Sequence, residues 1–263
     1  MSFQPIIPAT GIVGWNFLQA TYDKQFETFT QDAVLQRDNE YFLENIGKIE
    51  TAEDLVKDYR LLNIALGAFG LEEDSYKKAL VQKILEDGTT ADDALANTMG
   101  DDRYVQFSEA FGFGPGETVK TGSLQDMADL IYTNKVQAFE KAVGEQDQDL
   151  RVAMYAQHEV LALAEDGTSV DTKWFNVMGQ PALQDMFVTA LGLPESFGQI
   201  DIEQQLDVMK DRAYALFGSD DLSIFSDPDQ LKKLTNTFLA RAQIADFNAS
   251  QSSGATALML LQS

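Results

Sequence analysis

One segment of the chain occurs twice, and it consists of residues that stop and start helices. Residues 86–100 read EDGTTADDALANTMG and residues 165–179 read EDGTSVDTKWFNVMG, with eight of fifteen positions identical. The shared glycines, Gly88 and Gly167, can take the left-handed conformation that ends a helix, because glycine has no Cβ atom to clash there. The threonine after each glycine is placed to cap the next helix, with an aspartate three residues later. The repeat therefore predicts a duplicated helical module.

Three helix ends share a second pattern, in which glycine is preceded by Phe or Leu and followed by a large apolar residue. They are residues 68–71, 110–113 and 190–193. A glycine after the last turn, followed by an apolar residue, is typical of a Schellman ending. Gly218 is a fourth candidate, although Ser219 follows it where an apolar residue is expected. Matching ends of this kind favour an array of helices.

Apolar residues recur every three to four positions along most of the chain, which is the spacing of amphipathic helices. This spacing predicts helices at about 15–34, 37–46, 73–86, 91–99, 102–111, 148–165, 171–178, 181–191 and 202–217. Three more helix starts are predicted where a hydroxyl residue precedes acidic residues in the manner of a helix cap, at Thr51, Ser123 and Ser226. No convincing alternating strand is present. The sequence predicts an all-α fold, a compact multi-helix array with an internal duplicated helical module.

The glycine-rich stretch at residues 113–122 is the best internal boundary. It predicts an N-terminal helical region, 1–113, with the first copy of the module and a C-terminal region, 114–263, with the second. One intimate domain that contains both regions is the alternative. With 263 residues and 44% apolar content, the chain can bury a substantial core in either case.

The charge of the chain limits its partners. With 42 acidic and 19 basic residues, the net charge is −23, which repels nucleic acids and anionic lipid surfaces. The acidic residues are spread along the sequence, which is typical of a solvated surface. Binding of a basic partner by these residues is the more specific alternative. The N-terminus lacks the basic start and apolar run of a secretory signal, and no stretch is long and apolar enough to insert into a membrane.

Residues with catalytic potential are few. His158 is the only histidine, and it stands in a predicted helix. Asp220 and Asp221 fit turn and cap positions better than a weak cation site. The glycines at 112–116 lack the Lys-Ser/Thr ending of a phosphate-binding loop. We therefore predict a non-enzymatic protein with no catalytic residue, cofactor or metal, and the absence of cysteine excludes disulfides.

Several motifs along the chain resemble one family. They are WNFLQAT at 15–21, QRDNEYF at 36–42, TAEDLV at 51–56, AFGL at 68–71, DRY at 102–104 and ALGLP at 190–194. Together they resemble the alphaproteobacterial domain-of-unknown-function family 1217. That resemblance implies a largely helical protein, often encoded among flagellar genes, and it supplies no catalytic residues.

We therefore expect a helical protein of flagellar assembly or structure that acts through protein contacts, with a flagellar component as partner. It would be cytoplasmic or flagellum-associated. A cytosolic, chaperone-like acidic helper of a basic partner or export substrate is the alternative. An aromatic stripe near the N-terminus is typical of a core, yet both termini are apolar. If they are exposed, the first contact candidates are Trp15, Phe17, Leu18, Tyr22, Leu258, Leu260 and Leu261.

Overall fold

The computed structural model describes the backbone of residues 3–261 and the side chains of residues 3–194 and 196–250. Over this range the chain is 75% helical and contains no strand, so the prediction of an all-α fold is confirmed. The α-helices of the described range are α1 (Gly11–Thr30), α2 (Ala33–Asn45), α3 (Ala52–Lys57), α4 (Tyr59–Gly67), α5 (Lys78–Asp87), α6 (Leu95–Thr98), α7 (Asp102–Phe111), α8 (Leu124–Gly144), α9 (Gln148–Glu165), α10 (Val170–Gly179), α11 (Pro181–Leu191), α12 (Ile202–Phe217) and α13 (Pro228–Leu261). None of the described helices combines the length and apolar character needed to cross a bilayer.

Local signals place the helix starts well. Helices α7, α9, α11 and α12 have the bounds that apolar spacing predicts. The hydroxyl oxygen of Thr51 accepts a hydrogen bond from the Asp54 N–H at 3.1 Å, as expected of a helix cap. At α13, the cap is Asp227 instead of Ser226, because the Asp227 carboxylate accepts from the Asp229 N–H at 2.9 Å.

The predicted glycine stops are confirmed at all four positions. Each glycine has a positive φ between 65° and 86°: Gly70, Gly112, Gly192 and Gly218. At the first, the Leu71 N–H donates to the Leu66 carbonyl at 2.9 Å, the bond of a Schellman ending. At Gly218, the glycine N–H donates to the Tyr214 carbonyl at 2.9 Å. This simpler left-handed ending is compatible with the polar Ser219.

The chain divides into two compact units at positions that differ from the predicted boundary at 113/114. The first unit contains Thr21–Ala142 and the N-terminal residues up to Ile6, and the second contains Ile7–Ala20 and the residues from Val143 onward. The glycine-rich stretch lies within the first unit because hydrogen bonds hold it there. The Lys120 N–H donates to the Phe111 carbonyl at 2.9 Å, and the Thr121 hydroxyl donates to the Ile49 carbonyl at 2.7 Å.

The first unit has a core built from helices α2 to α8. Fully buried side chains in this core include those of Phe42, Leu55, Leu62, Phe107 and Phe111. A second aromatic group surrounds Phe139 on α8, where the rings of Tyr22, Phe26 and Phe29 each meet it edge-on. Such edge-to-face pairs add specific stabilisation to the burial of their area.

The second unit packs helices α9 to α13 around a chain of aromatic rings. Trp174 meets Phe187 at 5.2 Å between ring centroids, Phe187 meets Phe225 at 5.9 Å, and Phe225 meets Phe217 at 5.2 Å. The indole N–H of Trp174 donates to the Asp220 carbonyl at 2.7 Å, so the buried polar atom is satisfied. This core positions helix α13, which packs against α9 and α11.

The duplicated module is not confirmed, because the two copies have different backbones. Gly88 has a φ of 69° and is followed by a loop up to α6, which Ala94 precedes without a side-chain cap. Gly167 lies outside the positive-φ range, and Ser169, not Thr168, caps α10. The expected caps at both threonines are therefore absent. The Thr89 hydroxyl instead donates to Glu117 at 3.1 Å, and the Thr168 hydroxyl donates to Asp166 at 3.1 Å.

Candidate functional site

One face of helix α13 packs against the rest of the second unit. The buried side chains on this face are Leu234, Thr235, Phe238, Leu239 and Ala242. They pack towards α9, α11 and the 3₁₀ turn Leu222–Ser226. Beyond Ala242 the pattern ends, since residues 244–250 are all exposed.

Two large apolar side chains lie on the opposite face of α13. Ile244 is 60% exposed and Phe247 is 62% exposed. At about 100° per residue, they lie roughly 240° and 180° around the helix from the buried Phe238. Residues three apart on a helix are neighbours, so the two side chains form one apolar patch. We call Ile244 and Phe247 the α13 patch.

An acidic cleft adjoins the α13 patch. Its volume is about 620 Å³, and its lining includes Asp147, Asp149, Gln243, Asp246 and Phe247. Burial raises the pKa of Asp149 to about 6, with the charges of Asp147 and Asp246 adding to the effect. Over the described residues, no group of three or more His, Cys, Asp or Glu side chains is arranged to hold a metal ion. The cleft offers negative charge beside an aromatic ring.

A groove runs between α11 and α13 on another side of the same helix. Its volume is about 570 Å³, and Val188, Leu193, Arg241 and Ala245 contribute to its walls. Arg241 reaches across the groove, where its Nη1 donates to the Ala190 carbonyl at 2.8 Å. The groove thus combines an apolar wall with a cation.

The contact candidates predicted from the N-terminal sequence are mostly unavailable as surface. Trp15 is 3% exposed and Leu18 is fully buried, in agreement with a core stripe. Phe17 is 38% exposed, and Tyr22 is half-buried in the aromatic group around Phe139. Of these four residues, Phe17 alone is exposed. The remaining candidates, Leu258, Leu260 and Leu261, lie outside the residues whose side chains are described.

Asp220, Asp221 and His158 are the side chains considered for chemistry from the sequence, and the two aspartates have local structural roles. Asp221 accepts a hydrogen bond from the Ser223 N–H at 2.9 Å and lies 3.7 Å from the buried Lys173 ammonium, so its cap role is confirmed. The Asp220 carbonyl accepts from Trp174. His158 lies on the exposed side of α9, and its pKa is lowered because neighbouring atoms partly desolvate the ring.

Sequence reasoning missed Ile244, Phe247 and Arg241. A helical projection of residues 228–250 separates Ile244 and Phe247 from the apolar stripe through Leu234 and Phe238, so a signal for the patch was present. Arg241 gave no such signal, because its position in a groove depends on where α11 packs.

The chain is similar to proteins without an established activity. The family described as "Protein of unknown function (DUF1217)" matches residues 68–231, more than half of the chain. A structural-genomics crystal structure of a protein from Agrobacterium tumefaciens superimposes with a TM-score of 0.73 at 22% identity, covering 92% of this chain and 99% of that one. At that identity the likeness shows a shared fold. No curated protein matches the chain significantly.

Proposed function

The chain belongs to the DUF1217 family of proteins of unknown function, and from this premise we propose that it is a non-enzymatic helical protein of flagellar assembly or structure that acts through protein contacts. The flagellar role follows from the family resemblance, since members are often encoded among flagellar genes. The observation that carries the contact role is the α13 patch of Ile244 and Phe247, 60% and 62% exposed.

The α13 patch lies just beyond the anchored part of helix α13. The buried face of the helix ends at Ala242, and Phe247 follows about one and a half turns later on the same continuous helix. Burial of a side chain such as Ile or Phe contributes about 1.5–3 kcal/mol relative to exposure. Ile244 and Phe247 lie three residues apart and can enter one partner groove together, as helix-in-groove recognition requires.

The partner and the compartment follow from the same proposal. A flagellar component that presents an apolar groove would cover Ile244 and Phe247. The protein itself would be cytoplasmic or associated with the flagellum.

A second candidate function is an acidic, chaperone-like helper in the cytosol. The acidic cleft favours it, because Asp147, Asp149 and Asp246 offer negative charge to a basic partner or export substrate beside the Phe247 ring. The salt dependence of partner binding distinguishes the two functions. The Debye length falls from about 10 Å at 0.1 M to about 3 Å at 1 M ionic strength, so charge shielding of a basic partner would weaken while apolar docking persists.

The experiment uses a deletion strain complemented with three versions of the full chain. They are the wild type, the double variant Ile244→Ser/Phe247→Ser, and the control variant Tyr214→Ser, which removes a side chain that is 64% exposed on α12. Swimming in soft agar and the amount of protein that copurifies with flagellar basal bodies are measured for each. Circular dichroism of the purified variants checks that the helices are intact.

We expect the double variant to lose swimming and basal-body association while Tyr214→Ser retains both. Unimpaired swimming of the deletion strain, with the protein found solely in the cytoplasm, would reject the flagellar role. A well-folded double variant that swims and fractionates like the wild type would reject the α13 patch as the docking surface.

A further inference from the structure

Arg241 has no carboxylate partner among the described residues. It is half-buried on α13, and its one hydrogen bond in the described part of the chain is the 2.8 Å contact from Nη1 to the Ala190 carbonyl. A guanidinium group carries five N–H donors, so this contact leaves most of them without a protein acceptor.

Of the other half-buried arginines, Arg60 and Arg103 have acidic partners, and Arg151 forms no ion pair among the described residues. Arg60 lies 2.7 Å from an Asp38 oxygen, and Arg103 lies 2.7 Å from an Asp101 oxygen. Acids are abundant, with 42 acidic residues against 19 basic ones. A partly desolvated cation without a carboxylate carries a free-energy cost that an anion in the groove would offset. Arg241 is therefore a position at which an anionic group would be stabilised.

The apolar walls around Arg241 favour an anionic group that belongs to a ligand with apolar side chains. Val188, Leu193 and Ala245 contribute apolar groups to the groove of about 570 Å³. Among the described lining residues the one acid is Asp185, whose pKa is raised because the carboxyl group is partly buried. Among the described residues, no hydrogen bond or ion pair joins Asp185 to Arg241, whose one hydrogen bond goes to the Ala190 carbonyl.

Positive charge continues from Arg241 along α13. A second cavity, of about 500 Å³, has Arg241, Lys232, Lys233 and Thr237 in its lining, and Asp229 is the one acid among its described lining residues. The Lys233 ammonium already donates to a backbone carbonyl, and Lys232 is exposed. Arg241 lies nine positions after Lys232 on α13, a distance of about 14 Å along the helix axis at 1.5 Å per residue. The two cavities share Arg241, and Lys232 lines the second one.

We propose that the α11–α13 groove and the adjoining Lys232 surface bind an acidic, amphipathic helical segment of a partner protein, with Arg241 holding a carboxylate. The apolar walls take the aliphatic side chains of that segment, and Lys232 takes a second carboxylate about two to three turns away. This surface goes beyond the proposed function, because it is distinct from the α13 patch and stands whether or not Ile244 and Phe247 dock.

The test is the binding of two labelled peptides to the full chain, measured by fluorescence anisotropy. One peptide is an amphipathic helix with Glu and Leu at helical spacing, and the other has Gln in place of every Glu. An ionic strength of about 0.15 M limits the reach of the net negative charge to a Debye length of about 8 Å. The variants are Arg241→Gln, the exposed-site variant Lys232→Gln, and the charge-matched control Arg212→Gln, whose side chain is exposed on α12.

We expect the Glu peptide to bind the wild type about tenfold more tightly than the Gln peptide, because charge-assisted hydrogen bonds are about twice as strong as neutral ones. Arg241→Gln should weaken binding of the Glu peptide about tenfold. Lys232→Gln should weaken it about two- to threefold, as expected of an exposed ion pair. Arg212→Gln should change binding less than about twofold. If Arg241→Gln does not fold, the proposal is still tested by the Lys232→Gln variant and by the affinities of the Glu and Gln peptides for the wild type.

Four outcomes would overturn the proposal. They are equal affinity for the Glu and Gln peptides, no binding of the Glu peptide at about 1 mM, full displacement of the peptide by inorganic phosphate, and equal losses in Arg241→Gln and Arg212→Gln. Self-association of the wild type, abolished by Arg241→Gln in sedimentation velocity, would instead assign the groove to a second copy of this chain.

Discussion

The Glu117 carboxylate accepts a 2.7 Å hydrogen bond from the backbone N–H of Thr89, across 28 residues of sequence. The same oxygen accepts from the Thr89 hydroxyl at 3.1 Å, and the other carboxylate oxygen accepts from the Gly114 N–H at 3.2 Å. Glu117 thus ties the first copy of the repeated sequence to the glycine-rich loop. In the second copy, Thr168 instead donates its N–H to the nearby Asp166 at 3.0 Å.

This contact predicts opposite results for the same substitution in the two copies. Gly88 has a φ of 69°, and a Cβ atom there would lie 2.6 Å from a Glu117 oxygen and 2.7 Å from the Gly114 Cα. Gly88→Ala should therefore lower the free energy of unfolding by about 2 kcal/mol or more. At Gly167, a Cβ atom would meet nothing within 4 Å. Gly167→Ala should leave the free energy of unfolding unchanged or raise it by up to about 1 kcal/mol.

Urea denaturation of the two glycine variants checks this prediction. Equal destabilisation by both substitutions would mean that the copies share one backbone conformation after all. A smaller loss for Gly88→Ala in a Glu117→Ala background would confirm that the carboxylate is part of the clash.

Removal of the Glu117 carboxylate makes a separate prediction. Glu117→Ala would leave the N–H groups of Thr89 and Gly114 without their acceptor, at a cost of about 1–3 kcal/mol in the free energy of unfolding. Amide hydrogen exchange at Thr89 and Gly114 should become faster, while exchange in α9 stays unchanged. Unchanged protection at both amides would show that Glu117 does not hold this loop.

Asp58 predicts a pH dependence of stability. It caps α4 by accepting from the N–H groups of Arg60 and Leu61, both at 3.0 Å, and it accepts from the Tyr41 hydroxyl at 2.7 Å. Burial alone would raise the pKa of Asp58, but these hydrogen bonds and the Arg60 charge outweigh it and lower the pKa. Because the folded pKa is below the unfolded value, the stabilisation is present above about pH 4 and is lost as the pH falls through the folded pKa.

Asp58→Asn should therefore lower the free energy of unfolding at pH 7 by about 0.5–2 kcal/mol, the range of helix-cap substitutions. The difference from the wild type should shrink in acid, as measured by urea denaturation between about pH 3 and pH 7. The exposed Asp211, changed to Asn, controls for the lost charge. A constant difference across this pH range would contradict the account of Asp58.

Asn39 predicts a stabilising substitution. Its side chain is 5% exposed on α2, and neither its amide nitrogen nor its amide oxygen has a hydrogen-bond partner among the described residues. A buried polar group without a partner costs about 1–3 kcal/mol. Asn39→Leu, of similar size, should raise the thermal midpoint and the free energy of unfolding. A lower midpoint would indicate that an ordered water satisfies the Asn39 amide.

The parts of the fold that depend on neighbouring residues were predictable from the sequence. A left-handed glycine or a capping hydroxyl acts within one turn, so Gly70, Gly112, Gly192, Thr51 and Ser123 could be assigned without knowledge of packing. The core role of Trp15 and Leu18 followed from helical periodicity for the same reason.

The parts that depend on distant contacts were not predictable. The two copies of the repeat differ because Glu117 approaches Thr89 from 28 residues away, and no local pattern indicates which residue will do so. Two of the boundaries between the units lie inside helices, after Ala20 in α1 and after Ala142 in α8, where no loop marks them. Likewise, whether Arg241 faces solvent or a groove depends on the packing of α11.

The central claim is that the α13 patch docks on a flagellar partner, and a photo-crosslinker placed at Phe247 in living cells tests it most directly. With p-benzoylphenylalanine at position 247, we predict one discrete adduct that mass spectrometry identifies as a flagellar component. The same crosslinker at Tyr214, which is similarly exposed on α12, should give no such adduct. Identical adducts from both positions, or none from position 247 in motile cells, would contradict the claim.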